Sequence, residues 1–331
     1  MRVFAFEYFS GGGLAGQPLP ATLAREGDLM LTTLVGELAE LPGVEVIASR
    51  DPRLPPIPGS RTLRPLPGED PVDLYRRGVA AADAAWPTAS EAGGMLERLA
   101  RATLDGGKLL LGCRPDAVHL TAGKRATAQA LHRGGIRAVP TFVHGDELPR
   151  GSGQWVVKPD DGAGCEGTDV VDGPEVALAR LAADPGRLVA QPWLDGEPLS
   201  LSLLCADGAA RLLSCNRQEV AVRDGHVSLE AIQVNAVHDT GGRFARLGHQ
   251  IAAAVPGLWG YVGVDLVLTG AGPVVLEINP RLTTSYGALR PALGRNTAAL
   301  VLDLLTDGPL PADPVARGVP VELRLEPAHA S

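Results

Sequence analysis

The sequence is poor in lysine and cysteine and has no long apolar run, and each shortage excludes a class of protein. Its four cysteines lie far apart and form no CxxC pair, which argues against a zinc site or a disulfide framework and predicts reduced thiols. No stretch approaches about 18 uninterrupted apolar residues, the length that a membrane-spanning helix needs. The formal net charge of -8 argues against a nucleic-acid-binding surface. We therefore expect a cytoplasmic protein without nucleic-acid or membrane partners.

Lysine is much scarcer than arginine. Only Lys108, Lys124 and Lys158 are found among the 30 basic residues. A lysine in such a sequence indicates a place where a compact ammonium group is wanted, and phosphate sites are one such place. Lys158 ends an apolar strand and precedes the glycine-rich segment Asp160–Gly167, whose backbone N–H groups can approach phosphate oxygens closely. Such a loop alone is weak support, because most glycine-rich loops are plain turns and this one is neither a Walker A nor a GxGxxG motif.

The first third of the chain alternates strands with helices. Arg2–Phe6 and Val44–Ala48 read as strands, and helical spacing of apolar residues begins near Ala21 between them. Asp51–Pro71 holds seven prolines and reads as an irregular connection, whereas Asp73–Ala85 is predicted to be a helix. The alternation predicts a small parallel α/β lobe.

Two carboxylates near the C-terminus are the most informative feature. Strands on either side of Gly270–Pro273 predict a hairpin. If its turn is centred on Ala271, Asp265 lies opposite Glu277, with Cβ atoms about 5 Å apart. The two acids repel each other unless a cation lies between them, and with Asn279 they form an oxygen set suited to Mg²⁺.

Arg281 follows on the same face of the second strand and offers a bidentate fork for a phosphate. The alternative for this whole pattern is an ordinary polar strand facing solvent. A further strand runs into the turn at Gln191–Glu197, where backbone groups can read adenine and an acid can bind ribose.

The order of these motifs resembles the ATP-grasp superfamily over roughly residues 115–305. The resemblance implies an α/β, ATP-grasp fold in which a parallel α/β lobe precedes two α+β lobes that clasp ATP. It implies ATP as co-substrate and two Mg²⁺ ions, for which Mn²⁺ can substitute. The expected lobes are residues 1–115, 116–186 and 187–310, followed by a tail at 311–331.

The resemblance also implies roles for individual residues. Arg281 and Lys158 would be catalytic. The metal ligands would be Asp265, Glu277 and Asn279. The residues that contact ATP would be Lys124, Lys158, Gly162, Gly164, Gln191, Trp193, Leu194 and Glu197. Two positions depart from the usual pattern: Ala122 replaces an acid that often precedes the first lysine, and Glu197 stands one place earlier than the usual ribose-binding acid.

Three segments narrow the resemblance to the tyramine–glutamate ligase group of methanofuran biosynthesis and its bacterial methylofuran relatives: Phe6–Tyr8, Arg25–Met30 and Asn279–Tyr286. The resemblance implies that L-glutamate is joined through its γ-carboxyl to tyramine or tyrosine. Small-molecule carboxylate and amine substrates are then the expected partners, and a homodimer is compatible with the sequence. The substrate-binding candidates are Thr283, Thr284, Ser285 and Arg217.

Some alternatives stay open at this point. Glu7 and Glu26 are either ammonium-binding acids or ordinary surface acids. The segment Asn216–Gln218 follows an apolar strand, and its side chains either face the phosphates or the substrate or have no such role. The chain is either this ligase, another amide or dipeptide ligase, or a non-catalytic ATP-binding sensor, although a sensor would be expected to lack a metal ligand or Arg281.

Overall fold

The structure is a computed structural model that describes residues 1–151, 153–162, 164–306, 310 and 318–325. Its N-terminal part contains a parallel sheet with the strand order β3-β2-β1-β4-β5. The strands are β1 (Arg2–Glu7), β2 (Glu45–Ser49), β3 (Ser60–Leu63), β4 (Ala84–Thr88) and β5 (Leu109–Leu110). The helices of this part are α1 (Ala21–Ala39), α2 (Pro71–Ala80) and α3 (Met95–Asp105), and a short 3₁₀ turn at Ala92–Gly94 precedes α3. The predicted parallel α/β lobe is confirmed.

Two sequence-based assignments in this lobe were wrong. The segment predicted as a helix over Asp73–Ala85 is helical only as far as Ala80, where α2 ends, and its last two residues begin β4. Helix α2 begins at Pro71 because the Asp70 carboxylate accepts a hydrogen bond from the N–H of Val72 at 2.7 Å. The chain leaves the helix before Asp83, whose carboxylate accepts a hydrogen bond from the N–H of Arg2. The proline-rich connection also contains β3, which pairs with β2 at the sheet edge.

The rest of the described chain is built on a nine-stranded sheet whose pairs are antiparallel. Its strands are β6 (Gln154–Pro159), β7 (Asp169–Asp172), β8 (Leu188–Pro192), β9 (Glu197–Ala206), β10 (Ala209–Arg223), β11 (His226–Val234), β12 (Gly260–Thr269), β13 (Gly272–Asn279) and β14 (Val321–Arg324). The helices are α4 (Pro115–Ala122), α5 (Lys124–Arg133), α6 (Gly173–Ala183), α7 (Arg243–Ala254), α8 (Tyr286–Leu293) and α9 (Thr297–Asp303). Strand β14 lies in the expected tail and pairs with β11. Residues 311–317 and 326–331 of that tail lie outside the described residues.

The apolar core shows how the parts are joined. One cluster of buried side chains runs from Phe4 on β1 and Tyr75 on α2 to Leu203 on β9 and Ile251 on α7. A separate small cluster under α6 contains Trp155, Val157, Ala177, Leu181 and Ala190. The strands β6 to β8 therefore have a core of their own. In the described part of the chain, no helix combines the length and apolarity that crossing a bilayer would require.

The β12–β13 hairpin confirms the predicted pairing of Asp265 with Glu277, although by a different route. The turn is tighter than predicted, since Thr269 pairs with Gly272. That register alone would place Asp265 opposite Leu276. A bulge at Leu276 inserts one extra residue and brings Asp265 opposite Glu277. The bulge re-aims the end of β13, so the two carboxylates share one face.

Candidate active site

A cavity of about 680 Å³ lies against the face of the large sheet that carries Asp265 and Glu277. Most of the residues that the sequence singled out line it. They are Lys124, Lys158, Gly162, Gly164, Gln191, Trp193, Leu194, Asp265, Glu277, Asn279, Arg281, Thr283, Thr284 and Ser285. Ala163, within the glycine-rich loop, lies outside the described residues. The loop after β1 and helix α1 form another part of the wall through Phe9, Leu23, Glu26 and Met30.

Asp265 is held by two amide side chains. Gln218 Nε2 donates to its Oδ1 and Asn279 Nδ2 donates to its Oδ2, both at 2.8 Å. Burial, and then the charge of Glu277, raise the pKa of Asp265 to about 6, against the effect of the two amides. The two acids oppose each other's ionisation, which is the situation expected where a cation binds.

Glu277 is held by two lysines. Lys124 Nζ and Lys158 Nζ both lie 3.6 Å from Glu277 Oε2. Burial opposes ionisation of Glu277, but Lys124, Lys158 and Arg281 outweigh it and the net effect lowers its pKa. Burial lowers the pKa of Lys158, against the attraction of Glu277. Lys124 also donates to the carbonyl oxygens of Gly162 at 2.6 Å and Asp160 at 3.2 Å, and so ties α5 to the glycine-rich loop.

The donor set fits a hard divalent cation. Two carboxylates and the Asn279 amide are oxygen donors, as Mg²⁺ and Mn²⁺ prefer. In the part of the chain that the structure describes, no three His, Cys, Asp or Glu side chains form a metal-binding group. The protein thus offers two carboxylates, and an ion there would need phosphate oxygens and water to complete its shell. This matches the way Mg²⁺ is bound with nucleotides.

Arg281 is already engaged, which the sequence did not predict. Its Nε and Nη2 donate to the two carboxylate oxygens of Glu91 at 3.0 and 3.1 Å. The Glu91 side chain is buried and that of Arg281 is mostly covered, and Glu91 comes from the turn that follows β4. The expected bidentate fork is therefore formed with Glu91. The only sequence signal for Glu91 is its position just beyond the carboxyl end of a parallel strand, where sites in α/β proteins gather.

The predicted adenine segment borders the cavity. Strand β8 places Gln191 opposite Val156 on β6, and Gln191 Nε2 donates to Thr141 Oγ1 at 3.0 Å. The N–H of Trp193 donates to the carbonyl oxygen of Gln154 at 2.9 Å, so this N–H is taken up by the chain itself. The indole of Trp193 is half-exposed at the cavity.

Two predicted site residues do not line the cavity. Arg217 Nε donates to Glu197 Oε1 at 2.5 Å, and both side chains are partly exposed on adjoining strands. The alternation of side chains along β10 turns Arg217 away and points Gln218 at Asp265. The proposed roles of Glu197 with ribose and of Arg217 with substrate are thus not supported by their positions, and Asp195 lines the cavity in place of Glu197.

The hydroxyl-rich segment after β13 divides into two groups. Thr283 Oγ1 and Ser285 Oγ share hydrogen bonds with the Tyr261 hydroxyl at 2.8 and 3.2 Å, which makes them part of a buried network. Thr284 Oγ1 instead donates to Glu26 Oε2 at 2.7 Å, so Glu26 faces the cavity from α1.

Glu7 is buried, and its carboxylate is already occupied. Its Oε2 accepts hydrogen bonds from both the N–H and the hydroxyl of Ser10. Burial raises the pKa of Glu7 against these bonds. Glu26 is therefore the acid better placed to meet a ligand.

The comparisons with known proteins agree with this geometry. A family model described as ATP-grasp domain matches residues 121–285, and one described as pre ATP-grasp 3 domain matches residues 44–118. The chain belongs to the ATP-grasp superfamily. A superfamily member from Archaeoglobus fulgidus has a similar fold, with a TM-score of 0.72 at 21% identity over 98% of this chain and 100% of that one. An L-amino acid ligase from Bacillus licheniformis is also similar in fold, with a TM-score of 0.67 at 16% identity over 91% and 73% of the two chains.

One curated relative is similar in sequence. The tyramine–L-glutamate ligase of Methanocaldococcus jannaschii is 29% identical over 180 residues, which cover 54% of this chain. The matched region spans about half (49%) of the length of that relative.

Proposed function

We propose that the protein is an ATP-dependent carboxylate–amine ligase. The observation that carries the proposal is the convergence, in one cavity, of the Asp265–Glu277 pair with Lys124, Lys158 and Arg281. A carboxylate does not react with an amine near neutral pH, so ATP must first convert it to an acyl phosphate. That step needs a site which gathers positive charge around the transferring phosphoryl group.

The reaction proceeds in two balanced steps. A carboxylate oxygen of the substrate attacks the γ-phosphorus, the bond to the ADP oxygen breaks, and ADP leaves. The amine then attacks the acyl carbon, inorganic phosphate leaves with the carboxylate oxygen, and the amine loses a proton. Lys158 and Lys124 stabilise the negative charge on the phosphoryl oxygens, and the glycine-rich loop excludes water from the acyl phosphate.

Asp265, Glu277 and Asn279 would hold Mg²⁺ or Mn²⁺ with the phosphate oxygens of ATP, and two ions are proposed. When bound, the ions neutralise phosphate charge and orient the γ-phosphoryl group. Glu277 has a further task in this chain. It holds Lys124 and Lys158 at equal distances of 3.6 Å, so the two ammonium groups lie ready for phosphate.

For the substrates, we propose the γ-carboxyl of L-glutamate and an aromatic amine, tyramine or tyrosine, joined during assembly of a methanofuran- or methylofuran-type cofactor. The similarity to the Methanocaldococcus enzyme supports this choice. The cavity wall supports it too, because Glu26 lines the cavity together with the apolar side chains of Phe9, Leu23 and Met30. An acid next to an apolar wall suits a cationic amine with a ring. A cytoplasmic location and a homodimer stay predictions.

ADP release and product mass together test the proposal. The purified protein is incubated with Mg-ATP, L-glutamate and either tyramine or tyrosine, and the Asp265→Asn variant serves as control. We expect ADP only when both substrates are present, with a γ-glutamyl amide as product and no turnover by the variant. Turnover with other amino acids alone would assign a different amide or dipeptide ligase. Binding of Mg-ATP without turnover on a broad amine panel would favour a sensor and contradict the proposal.

A further inference from the structure

The Glu91–Arg281 pair joins residues 190 positions apart in the chain and lies at the edge of the cavity. The exposed fractions of the two side chains are 7% and 12%. Removing Glu91 would leave the charge of Arg281 without its carboxylate partner in a mostly covered position, which destabilises a fold. The pair is also the direct link between the turn after β4 and the end of the metal-binding strand.

The hydrogen bonds of Arg281 leave little of its guanidinium free. Of the five N–H groups of an arginine side chain, two go to Glu91. Nη2 also donates to Asn279 Oδ1 at 3.4 Å, and Nη1 donates to the carbonyl oxygen of Leu282 at 3.1 Å. Counting partners within the described residues, one Nη1 N–H remains for a ligand. Arg281 in this conformation offers a single directed contact to a phosphoryl oxygen and not a fork.

The turn that carries Glu91 has a second anchor in the site. The N–H of Gly93 donates to Asp161 Oδ2 at 3.0 Å, and Asp161 belongs to the glycine-rich loop. Gly93 and Gly94 have φ angles of 61° and 68°, a conformation that side-chain-bearing residues seldom adopt. This tight turn therefore lets a single short segment contact both the arginine and the loop.

We propose that Glu91 is a positioning residue that acts through Arg281. It fixes the guanidinium so that its one remaining N–H points at the γ-phosphoryl group of bound ATP. Glu91 itself does not touch the nucleotide. The inference depends on ATP binding in this cavity and on the phosphoryl contact of Arg281, but it does not depend on which carboxylate and amine are joined.

The test compares how tightly nucleotides with and without a γ-phosphate bind. Calorimetry gives the dissociation constants of MgADP and of a non-hydrolysable Mg-ATP analogue for wild type, Glu91→Gln, Arg281→Lys and the double variant. We expect wild type to prefer the analogue about tenfold, as one charge-assisted hydrogen bond provides. Each single variant should lose most of that preference. The double variant should be within about twofold of the weaker single, because both changes remove the same contact.

A matched control is available in the same lobe. Glu69 accepts a similar fork from Arg77 at 2.7 and 2.8 Å and does not line the cavity. Glu69→Gln should lower the melting temperature without changing the nucleotide preference. If Glu91→Gln does not fold, Glu91→Asp keeps the charge and should give a partial loss of preference.

Three results would overturn the inference. The first is that wild type binds MgADP as tightly as the Mg-ATP analogue, and the second is that Glu91→Gln and Glu91→Asp keep the wild-type preference for the analogue. The third result is a double variant in which the losses of affinity for the analogue in the two single variants multiply. Multiplying losses would mean that Glu91 contacts the nucleotide directly. Failure to form any amide product, with the nucleotide results as expected, would refute the ligase proposal and leave this inference standing.

Discussion

Replacing Asp265 by asparagine should stabilise the metal-free protein while abolishing its response to Mg-ATP. The wild-type fold holds Asp265 against Glu277, which is its direct partner across the hairpin. Burial and that neighbour raise the pKa of Asp265 from 3.8 to about 6, which corresponds to about 3 kcal/mol of unfavourable free energy once the group is ionised. Asparagine has the same shape and carries no charge.

The direction of the pH dependence follows from the raised pKa. The stability linked to Asp265 is fully present below the unfolded pKa of 3.8 and is lost as pH rises through about 6. In excess chelator, wild type should therefore lose stability between about pH 4 and pH 7, and Asp265→Asn should have a flatter profile. The introduced NH₂ group must face the NH₂ donor of either Gln218 or Asn279, and the lost hydrogen bond reduces the gain in stability by about 1 kcal/mol. The net gain at pH 8 should be about 1–2 kcal/mol.

Urea unfolding at pH 5 and pH 8, with chelator and then with Mg-ATP, measures both effects. Asp146→Asn serves as a control in which the effect on stability should have the opposite sign. In wild type, the ion pair of Asp146 with Arg125 lowers the pKa of Asp146, whereas the pKa of Asp265 is raised. That variant should be destabilised at pH 8 and should still be stabilised by Mg-ATP. The reasoning is refuted if Asp265→Asn is less stable than wild type at pH 8 in chelator, or if Mg-ATP stabilises it as much as wild type.

Three further predictions concern single side chains. Lys158→Met should lower kcat for ADP release roughly 10²–10³-fold, because it removes the ammonium group next to Glu277 that we propose stabilises the phosphoryl oxygens; a loss below tenfold would contradict this role. Glu197→Gln should change KM for ATP by less than about twofold, since its partner Arg217 lies outside the cavity and exposed ion pairs contribute little; a large rise in KM would restore the ribose role expected from the sequence. Glu26→Gln should raise KM for the amine about tenfold and leave KM for ATP unchanged, because it weakens a charge-assisted contact at the amine end; an equal rise in both constants would argue for a general structural effect.

The parts of the site that the sequence predicted are those encoded by local pattern. The alternation of side chains along two adjoining strands was enough to predict that Asp265 pairs with Glu277. The turn is one residue shorter than expected, but the extra residue of the bulge at Leu276 restores the predicted pairing. Lys158 was identifiable because a strand delivers it directly to a glycine-rich loop. The proposed lobe boundaries at residues 115, 186 and 310 stay predictions.

The parts that the sequence missed depend on tertiary contacts. An alanine-rich run concealed β4, and with it the position of Glu91 at a strand end. Glu91 and Arg281 are 190 positions apart in the chain, and a local sequence pattern cannot predict a pair at such a separation. Arg217 and Gln218 are adjacent in sequence, and only the register of β10 decides which of them faces Asp265. Motif spacing thus located the cavity, but tertiary packing determines which neighbouring residue enters it.

The most direct test of the central claim follows the carboxylate oxygens. The protein is given Mg-ATP, the amine that supports turnover and L-glutamate labelled with ¹⁸O in its γ-carboxyl group, and the released inorganic phosphate is examined by mass spectrometry. The account predicts one ¹⁸O atom in each phosphate, because the carboxylate oxygen leaves with the phosphoryl group when the amine attacks. Unlabelled phosphate, or AMP and pyrophosphate in place of ADP, would contradict activation through an acyl phosphate.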